Sequence, residues 1–281
     1  MITAKDLRQQ ILEKLPEGTV KAEHTERHHF YRIVPKDVVY PSVTGKLQLI
    51  KDEGLMNYKM NRAIEYIAAN RSRMALNEGE AMAVFDEASK ESERLLKDAG
   101  DIGTLIHDAR EQYFKAWIET GVRPPDARAF IPPGCVDRRA VSGMRGIEKF
   151  CQEWKYEPVV SELYVYSERW QTAGALDDIG LIDTGTGPEI VLMDLKTSNR
   201  FKSTYFFQVA MYWSMFSELT GITPQRVLIL KASKETGKYE IEELTELPKL
   251  VEYVEHMLKM NEAVAFIEGL RKDNQKNVVT L

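Results

Sequence analysis

Three acidic side chains and one lysine lie in segments that otherwise have the apolar pattern of buried strands. Glu162 lies in VVSELYVYS, Asp177 in QTAGALDDIG, and Asp194 and Lys196 in EIVLMDLKTS. Charged side chains are rarely buried unless they are paired or bind a metal. Because side chains two residues apart point to the same face of a strand, we expect Asp194 and Lys196 to lie side by side.

The three segments are close enough in the chain to form consecutive hairpins, which can bring the three acids to one end of a sheet. Carboxylates that are packed together repel one another and raise each other's pKa. A hard divalent cation removes this conflict, and carboxylate oxygens suit Mg²⁺ or Mn²⁺. Lys196 would then lie beside the metal, where it can pair with a phosphate or position a water. This chemistry is that of metal-assisted phosphodiester hydrolysis.

The elements that must position these residues follow from the hydrophobic periodicity. After the three strands, TYFFQVAMYWSMFSELTG predicts an amphipathic helix that ends at Gly221. Two further strands, RVLILKAS and KYEIEEL, precede a C-terminal helix. We therefore predict an α/β core over residues 101–281, in which helices flank a mixed sheet.

Residues 1–100 predict a mixed and then helical region, an N-terminal extension that covers the cleft of the core. A helix near the start and strands around HHFYRIV and DVVY precede helical patterns over residues 56–98. Ala99-Gly100 is predicted to stop this run. Another helix, GTLIHDAREQYFKAWIET, then carries His107.

The composition excludes several classes of protein. The 281 residues carry a net charge of −5, which excludes a globally basic nucleic-acid binder but not a local basic groove. No apolar run is long enough to span a membrane, and the start lacks the apolar region of a signal peptide. The two cysteines, Cys135 and Cys151, cannot by themselves ligate an iron–sulfur cluster. A reducing intracellular setting fits this cysteine usage best.

Five short elements in a fixed order resemble the PD-(D/E)XK nuclease superfamily, and within it the RecB-like branch, which includes phage exonucleases and the mitochondrial genome maintenance exonuclease. They are GTLIH with His107, SELYV with Glu162, GALD with Asp177, DLK with Asp194 and Lys196, and QVAMY with Gln208 and Tyr212. An upstream PSVT at residues 41–44 is similar to the same enzymes. The resemblance covers about residues 40–235. Each element alone is common, but their order on the expected strands and helices is specific.

The resemblance implies a restriction-endonuclease-like core and a metal-dependent deoxyribonuclease. Its metal ligands would be the side chains of His107, Asp177 and Asp194 and the carbonyl of Leu195. Because imidazole suits Mn²⁺ better than Mg²⁺, we expect Mn²⁺ to support activity at least as well. Some relatives use cysteines to hold an iron–sulfur cluster, which we do not expect here.

The resemblance also implies roles for the remaining site residues. Glu162 would orient a metal-bound water or ligate a second ion, and Lys196 would position the nucleophilic water or stabilise developing charge. Gln208 and Tyr212 would hold the substrate backbone or Lys196. From the residues alone, the alternative is that these last two belong to a core-facing helix.

Basic residues away from the acids predict contacts with phosphates. Within residues 59–73, Lys59, Arg62, Arg71 and Arg73 face only Glu65, and Arg200 and Lys202 follow the DLK signature. We expect Arg62, Arg71, Arg73 and Arg200 to bind substrate. Tyr58, Tyr66 and Tyr205 can stack on bases, as in proteins that bind single strands.

These features predict an exonuclease that prefers single-stranded DNA and acts in phage or bacterial DNA recombination, replication or repair. It would work in the cytoplasm of a bacterium or of a phage-infected cell. The chain has no phosphate-binding loop of the GxxxxGK[ST] type, so a helicase, or a single-strand-binding protein, would be a separate partner. The alternative is a catalytically silent or partner-dependent DNA-binding component of a recombination complex.

Several residues also have simpler interpretations. Asp194 and Lys196 alone can form an ion pair on an edge strand, and Glu153-Trp154-Lys155 fits a solvated helix end. Strand alternation turns Asp178 away from Asp177, into a supporting or a solvated position. The group His24, His28 and His29 lacks a fourth ligand and a zinc-like spacing, which favours surface or strand positions.

Overall fold

The computed structural model describes residues 2–24, 29–47, 50, 53–134, 137–185 and 187–276. Its helices are α1 (Ala4–Lys14), α2 (Val43–Lys46), α3 (Glu53–Ala69), α4 (Arg71–Met74), α5 (Glu78–Thr120), α6 (Arg138–Glu153), α7 (Ser203–Thr220) and α8 (Leu247–Lys276). Its strands are β1 (Val20–His24), β2 (His29–Ile33), β3 (Val38–Pro41), β4 (Glu157–Ser167), β5 (Thr172–Asp183), β6 (Pro188–Lys196), β7 (Arg226–Ala232) and β8 (Tyr239–Glu243). None of the described helices is long and apolar enough to cross a membrane.

One five-stranded sheet has the order β4-β5-β6-β7-β8. β4, β5 and β6 are antiparallel neighbours, so the predicted consecutive hairpins are confirmed. α7 then connects β6 to the parallel strand β7, and β8 returns antiparallel to β7. The predicted fold class, an α/β core in which helices flank a mixed sheet, is confirmed.

Helices cover both faces of this sheet, and β6 shows how its side chains divide between them. Ile190 and Leu192 are buried on one face with side chains of α1, α7 and α8. Val191 and Met193 are buried on the other face with side chains of α5 and α6. A strand that is covered on both faces has a continuous apolar run. This explains the apolar sequence that leads up to Asp194.

A second sheet, with the order β1-β2-β3, lies beside the turn of the β4–β5 hairpin. Val20 and Ile33 share a small core with Ala173 of β5. The hydroxyl of Thr172 donates a hydrogen bond of 2.9 Å to the carbonyl of Pro41. The N-terminal region therefore contains a sheet as well as helices, and this sheet is anchored to the core.

α3 and α4 pack antiparallel against the first half of α5. Nζ of Lys59 lies 3.8 Å from Oε1 of Glu93, and Nη2 of Arg73 lies 3.1 Å from Oε2 of Glu80. From the start of α3 to the end of α4, the partner residues on α5 therefore have progressively lower residue numbers, as expected for antiparallel packing. We call this unit, residues 53–98, the helical hairpin.

The predicted helix stop at Ala99-Gly100 is wrong, because α5 is one continuous helix of 43 residues. A glycine inside a helix costs only about 1 kcal/mol relative to alanine. An ion pair of 2.7 Å between Lys97 and Asp101 spans this position, and packing on both sides of it holds the helix together. The predicted boundary between residues 100 and 101 falls inside α5, and the division of the chain into two regions stays a prediction.

Candidate active site

His107 and Arg110 project from the second half of α5. They are three residues apart and therefore share one side of the helix. A β-carbon on Gly103 would lie 2.8 Å from Oγ1 of Thr197, which directly follows β6. The glycine of GTLIH thus allows α5 to pass close to the end of β6, where the DLK signature lies.

Glu162 on β4 and Asp177 on β5 lie opposite each other, because the neighbouring residues Ser161 and Asp178 are paired in the antiparallel register. Glu162 has a φ of 54°. This left-handed conformation is unfavourable for a residue with a β-carbon. Strained backbone of this kind is found at functional sites, where the surrounding structure maintains it.

His107, Glu162 and Asp177 offer ligand atoms that all lie within 4.8 Å of one another. Nδ1 of His107 is 3.7 Å from Oδ1 of Asp177. The amide of Leu195 donates a 2.6 Å hydrogen bond to Oδ2 of Asp177, and Nη2 of Arg110 donates to Oε1 of Glu162. Each carboxylate is thus held by one oxygen, and its second oxygen can ligate an ion.

Asp177 is the acid of this group that stays ionised. Burial acts to raise its pKa, but the positive charges of Arg110 and Lys196 and the contact with His107 outweigh burial and hold the pKa well below its ordinary range. Nη2 of Arg110 is 3.8 Å from Oδ1 of Asp177. Asp177 can therefore bind a cation without first releasing a proton.

Glu162 behaves in the opposite way. Burial, and then the negative charge of Asp177, raise its pKa to about 8, although Arg110 opposes the shift. At neutral pH and without a cation, the protonated form of Glu162 is therefore favoured. An ion that binds this carboxylate would displace its proton.

Asp194 and Lys196 lie side by side as expected, with Nζ of Lys196 2.6 Å from Oδ2 of Asp194. Burial acts to lower the pKa of Lys196, but Asp194 and Asp177 outweigh it and raise the pKa, so the ammonium group stays charged. The ring centroid of Tyr205 is 4.9 Å from Nζ. Because β6 is the central strand, the alternative of an edge-strand ion pair is wrong.

The predicted metal ligands are only partly brought together. Asp194 lies outside the group of three, and Oδ2 of its carboxylate contacts Lys196. Burial raises the pKa of Asp194 to about 6, with Lys196 opposing and Asp177 adding to the shift. Glu162, which we expected to orient a water or to bind a second ion, takes the third position in the group. The roles of Asp194 and of the Leu195 carbonyl as ligands stay predictions.

Arg110 was not singled out from the sequence, yet its side chain is fully buried among the acids. Nη1 contacts Oδ2 of Asp178, and Nη2 contacts Oε1 of Glu162. Burial acts to lower the pKa of Arg110, but the surrounding carboxylates raise it, so the guanidinium is charged. A signal was present in the sequence, because Arg110 lies on the same apolar stripe of α5 as Ile106 and Tyr113.

Asp178 is also fully buried, so its predicted solvated alternative is wrong. Its carboxylate supports the site through Arg110. Burial raises the pKa of Asp178 to about 7, and Arg110 opposes this shift without cancelling it. The buried pair of Arg110 and Asp178 ties α5 to β5 beneath the metal-ligand group.

Gln208 and Tyr212 lie on successive turns of α7, and Nε2 of Gln208 donates a 3.2 Å hydrogen bond to the hydroxyl of Tyr212. Tyr212 is buried in the core on that face of the sheet. The predicted alternative of a core-facing side chain therefore holds for Tyr212. Contact of either residue with substrate stays a prediction.

Arg200 joins the site to the helical hairpin. Its guanidinium lies against Gly54 near the start of α3, so closely that a β-carbon at residue 54 would collide with it. Arg200 follows Lys196 by four residues. The base of the helical hairpin is therefore next to the loop that leaves the active site.

Glu65 is the only acid within residues 59–73, but in the fold α5 supplies further acids to these basic residues. The Arg73 guanidinium is 3.1 Å from Glu80 and 2.8 Å from Glu87. Tyr66, which we expected to stack on bases, donates its hydroxyl to Glu87 at 2.9 Å. These side chains hold the helical hairpin together, and their contact with substrate stays a prediction.

Arg62 and Arg71 differ in how many contacts their side chains make with other residues. Arg62 is 2.5 Å from Glu65 and 5.6 Å from the ring centroid of Tyr58. Arg71 is exposed, and within the described part of the chain its side chain makes no hydrogen bond or ion pair. Among these arginines, Arg71 is thus the one most readily reached by a phosphate.

The other sequence candidates are only partly described. His28 and Cys135 lie outside the described residues, as does the side chain of His24, so the predicted histidine group is not tested. His29 is exposed. Cys151 is buried as a free thiol.

The donor set fits a divalent cation. One imidazole and two carboxylates converge on a common point, and the side chain of His107 is 30% exposed, which leaves that point accessible from solvent. Mixed nitrogen and oxygen donors suit Mn²⁺ as well as Mg²⁺. Hydrogen bonds from Leu195 and Arg110 orient the two acids, as supporting groups do in metal sites.

Comparison with known proteins gives only distant likenesses. No protein-family model matches the chain, and no curated protein sequence matches it. Among solved structures, 22 chains match. One is the crystal structure of a "Putative exonuclease" from Eubacterium rectale, with 16% identity, a TM-score of 0.37, and coverage of 58% of this chain and 65% of that chain, less than two thirds of its length. Another is the crystal structure of SSO0001, with 13% identity, a TM-score of 0.26, and coverage of 56% of this chain and 73% of that chain.

Proposed function

We propose that the protein is a metal-dependent deoxyribonuclease that hydrolyses phosphodiester bonds. The observation that carries the proposal is the convergence of His107, Glu162 and Asp177, which come from α5, β4 and β5. The positive charge of Lys196 on β6 acts on the same Asp177. Metal ligands beside a lysine are the groups that phosphodiester hydrolysis requires.

The side chains of the site have different roles, which follow from their charges. A divalent ion held by His107, Glu162 and Asp177 would polarise the phosphoryl group and lower the pKa of an attacking water. Asp177, which is already ionised, provides the permanent negative charge of the site. Lys196 places its ammonium group where it can position the water or stabilise charge that develops on the phosphate. Asp194 holds that ammonium group in place.

We further propose an exonuclease that prefers single-stranded DNA and acts in phage or bacterial DNA recombination, replication or repair. The helical hairpin begins against Arg200, beside the loop that follows Lys196, so a strand leaving the site would pass along it. Arg200, Arg62 and Arg71 would contact its phosphates, and Tyr58 would stack on its bases. A helicase or a single-strand-binding protein would act as a separate partner in the cytoplasm.

The decisive experiment uses end-labelled linear single strands, linear duplexes and covalently closed single-stranded circles, each with Mn²⁺, with Mg²⁺ or with excess EDTA. We expect linear single strands to be degraded fastest, circles to survive, and EDTA to stop cleavage. Asp177→Asn should be inactive, whereas Asp183→Asn, at the C-terminal end of the same strand, should be active. Full activity in EDTA would contradict the metal-dependent mechanism.

The same assay separates the nuclease from a DNA-binding component without activity of its own. Binding of DNA without cleavage, in either metal, would favour the binding component. Cleavage of circles at the rate of linear strands would make the enzyme an endonuclease. Products resolved by length report which bonds are cut.

A further inference from the structure

Arg110 is a fully buried cation in direct contact with a proposed metal ligand. One arm of its guanidinium contacts Asp178, and the other contacts Glu162 and lies 3.8 Å from Asp177. Arginine is not deprotonated in proteins. Arg110 therefore provides a fixed positive charge and a rigid fork beneath the site whether or not a metal is bound.

The charges around Arg110 are consistent with one divalent ion. When ionised, Glu162, Asp177 and Asp178 carry three negative charges, and Arg110 neutralises one of them. The two that remain equal the charge of a single Mg²⁺ or Mn²⁺. Asp194 and Lys196 form a separate pair that is neutral by itself.

The geometry gives each arm of the fork a different function. The arm on Asp178 joins α5 to β5 and is a buried structural ion pair. The arm on Glu162 occupies Oε1 and leaves Oε2 to ligate, just as the amide of Leu195 occupies Oδ2 of Asp177 and leaves Oδ1. The left-handed backbone of Glu162 needs such a partner, because its strain must be offset by surrounding contacts.

We propose that Arg110 is a positioning residue that holds Glu162 in the geometry required for metal binding before the ion arrives. The proposal rests on the proposed function, since it concerns the same metal site. It goes beyond that function by assigning part of the affinity for the ion to a residue that does not ligate it. Supporting groups of this kind typically contribute about 10- to 100-fold to metal affinity.

The test is the double variant Arg110→Met/Asp178→Leu in the full chain. Removing both partners of a buried ion pair is often neutral for stability, whereas removing one is strongly destabilising. Above about pH 7, where Asp178 is ionised, the double variant also leaves the net charge of the site unchanged, because one positive and one negative charge are lost together. A change in metal affinity then reports the loss of the fork on Glu162 and not a change in overall charge.

Mn²⁺ affinity is measured by calorimetry and by the electron paramagnetic resonance signal of free Mn²⁺, and folding by thermal melting without metal. We expect the double variant to fold and to bind Mn²⁺ about 10- to 100-fold more weakly than wild type. A folded double variant with wild-type affinity would overturn the proposal. If the double variant does not fold, the test uses Arg110→Lys, which keeps the positive charge but lacks the forked guanidinium. An unchanged Mn²⁺ affinity in Arg110→Lys would then overturn the proposal.

Two controls separate this proposal from the proposed function. Asp178→Asn keeps the arm on Glu162 but removes one negative charge, so we expect a lower melting temperature and a smaller loss of Mn²⁺ affinity than in the double variant. Absence of Mn²⁺ binding in the wild-type protein would mean that the proposed function itself fails. Equal Mn²⁺ affinity in the wild type and the double variant would contradict only the proposed role of Arg110.

Discussion

The ring of Tyr212 occupies the space next to Gly174, so that a β-carbon at residue 174 would lie 2.8 Å from Cε1 and 3.0 Å from the hydroxyl oxygen. This contact joins two of the sequence elements, GALD on β5 and QVAMY on α7. The glycine in the first element is thus needed because of the tyrosine in the second. It sets how closely α7 approaches the strand that carries Asp177.

Gly174→Ala should therefore destabilise the protein by about 1–3 kcal/mol, the usual cost of overpacking a core. Thermal melting measures the effect, and Tyr212→Leu should partly reverse it in the double variant. Gly100→Ala is the matched control, since nothing lies within 4 Å of a β-carbon there. In a helix interior that change should raise stability, by up to about 1 kcal/mol. Equal effects at both positions would contradict the packing argument.

Lys196→Met should lower kcat by about a hundredfold or more and leave the affinity for DNA nearly unchanged, because the lost charge acts mainly in the transition state. Folding should persist, since Asp194, whose pKa is already raised, can bind a proton when it loses its partner. Single-turnover cleavage and equilibrium binding measure the two quantities. Lys155→Ala, at the end of α6, should change neither. Parallel loss of binding, stability and cleavage in Lys196→Met would indicate a purely structural lysine.

The stability of the metal-free protein should fall as the pH rises from about 5 to 8. Glu162 has a folded-state pKa of about 8, above its ordinary value of 4.5, so between these values the folded state binds more protons than the unfolded state. Stability that depends on a bound proton is present below the ordinary pKa and is lost through the folded-state pKa. Asp178, whose pKa is raised to about 7, contributes with the same sign.

Melting temperatures at several pH values in EDTA test this dependence, and Glu162→Gln is the comparison. We expect a shallower decline in that variant, because one of the titrating groups is gone. Identical pH profiles for the two proteins would show that Glu162 does not titrate in this range.

Mn²⁺ should raise the melting temperature, because the ligand group is assembled only in the folded state. A metal concentration one hundred times Kd corresponds to about 2.7 kcal/mol of added stability. The increase should be lost in Asp177→Asn and kept in Asp183→Asn. Binding should also strengthen as the pH rises towards 8, since the ion must displace the proton of Glu162. An equal thermal shift in Asp177→Asn would place the ion elsewhere.

Arg71→Ala and Arg73→Ala should differ, although the residues are two positions apart. Arg71 is exposed, so its loss should weaken binding to single-stranded DNA and reduce the slope of log affinity against log salt by about one. Arg73 is paired with Glu80 and Glu87, so its loss should mainly loosen the helical hairpin. Fluorescence anisotropy across a salt series, together with thermal melting, distinguishes the two effects. Equal salt slopes for wild type and Arg71→Ala would remove this residue from the DNA interface.

The sequence by itself determined the order and type of the elements that carry the site. The hairpins β4–β5–β6 were predictable because strands with short connections pair locally, and alternation predicted that Asp194 and Lys196 share one face of β6. The continuation of α5 through Gly100 was not predictable, because the cost of one glycine is smaller than the stability gained by packing along α5.

Only the tertiary structure decided which charges meet. Arg110 and Glu162 are 52 residues apart, and Arg73 meets acids of another helix, so neither relationship is encoded in local spacing. Lys196 pairs with Asp194, and Glu162 completes the group with His107 and Asp177. Coulomb interactions and burial depend on distances in space, and those distances are fixed only when the helices close over both faces of the sheet.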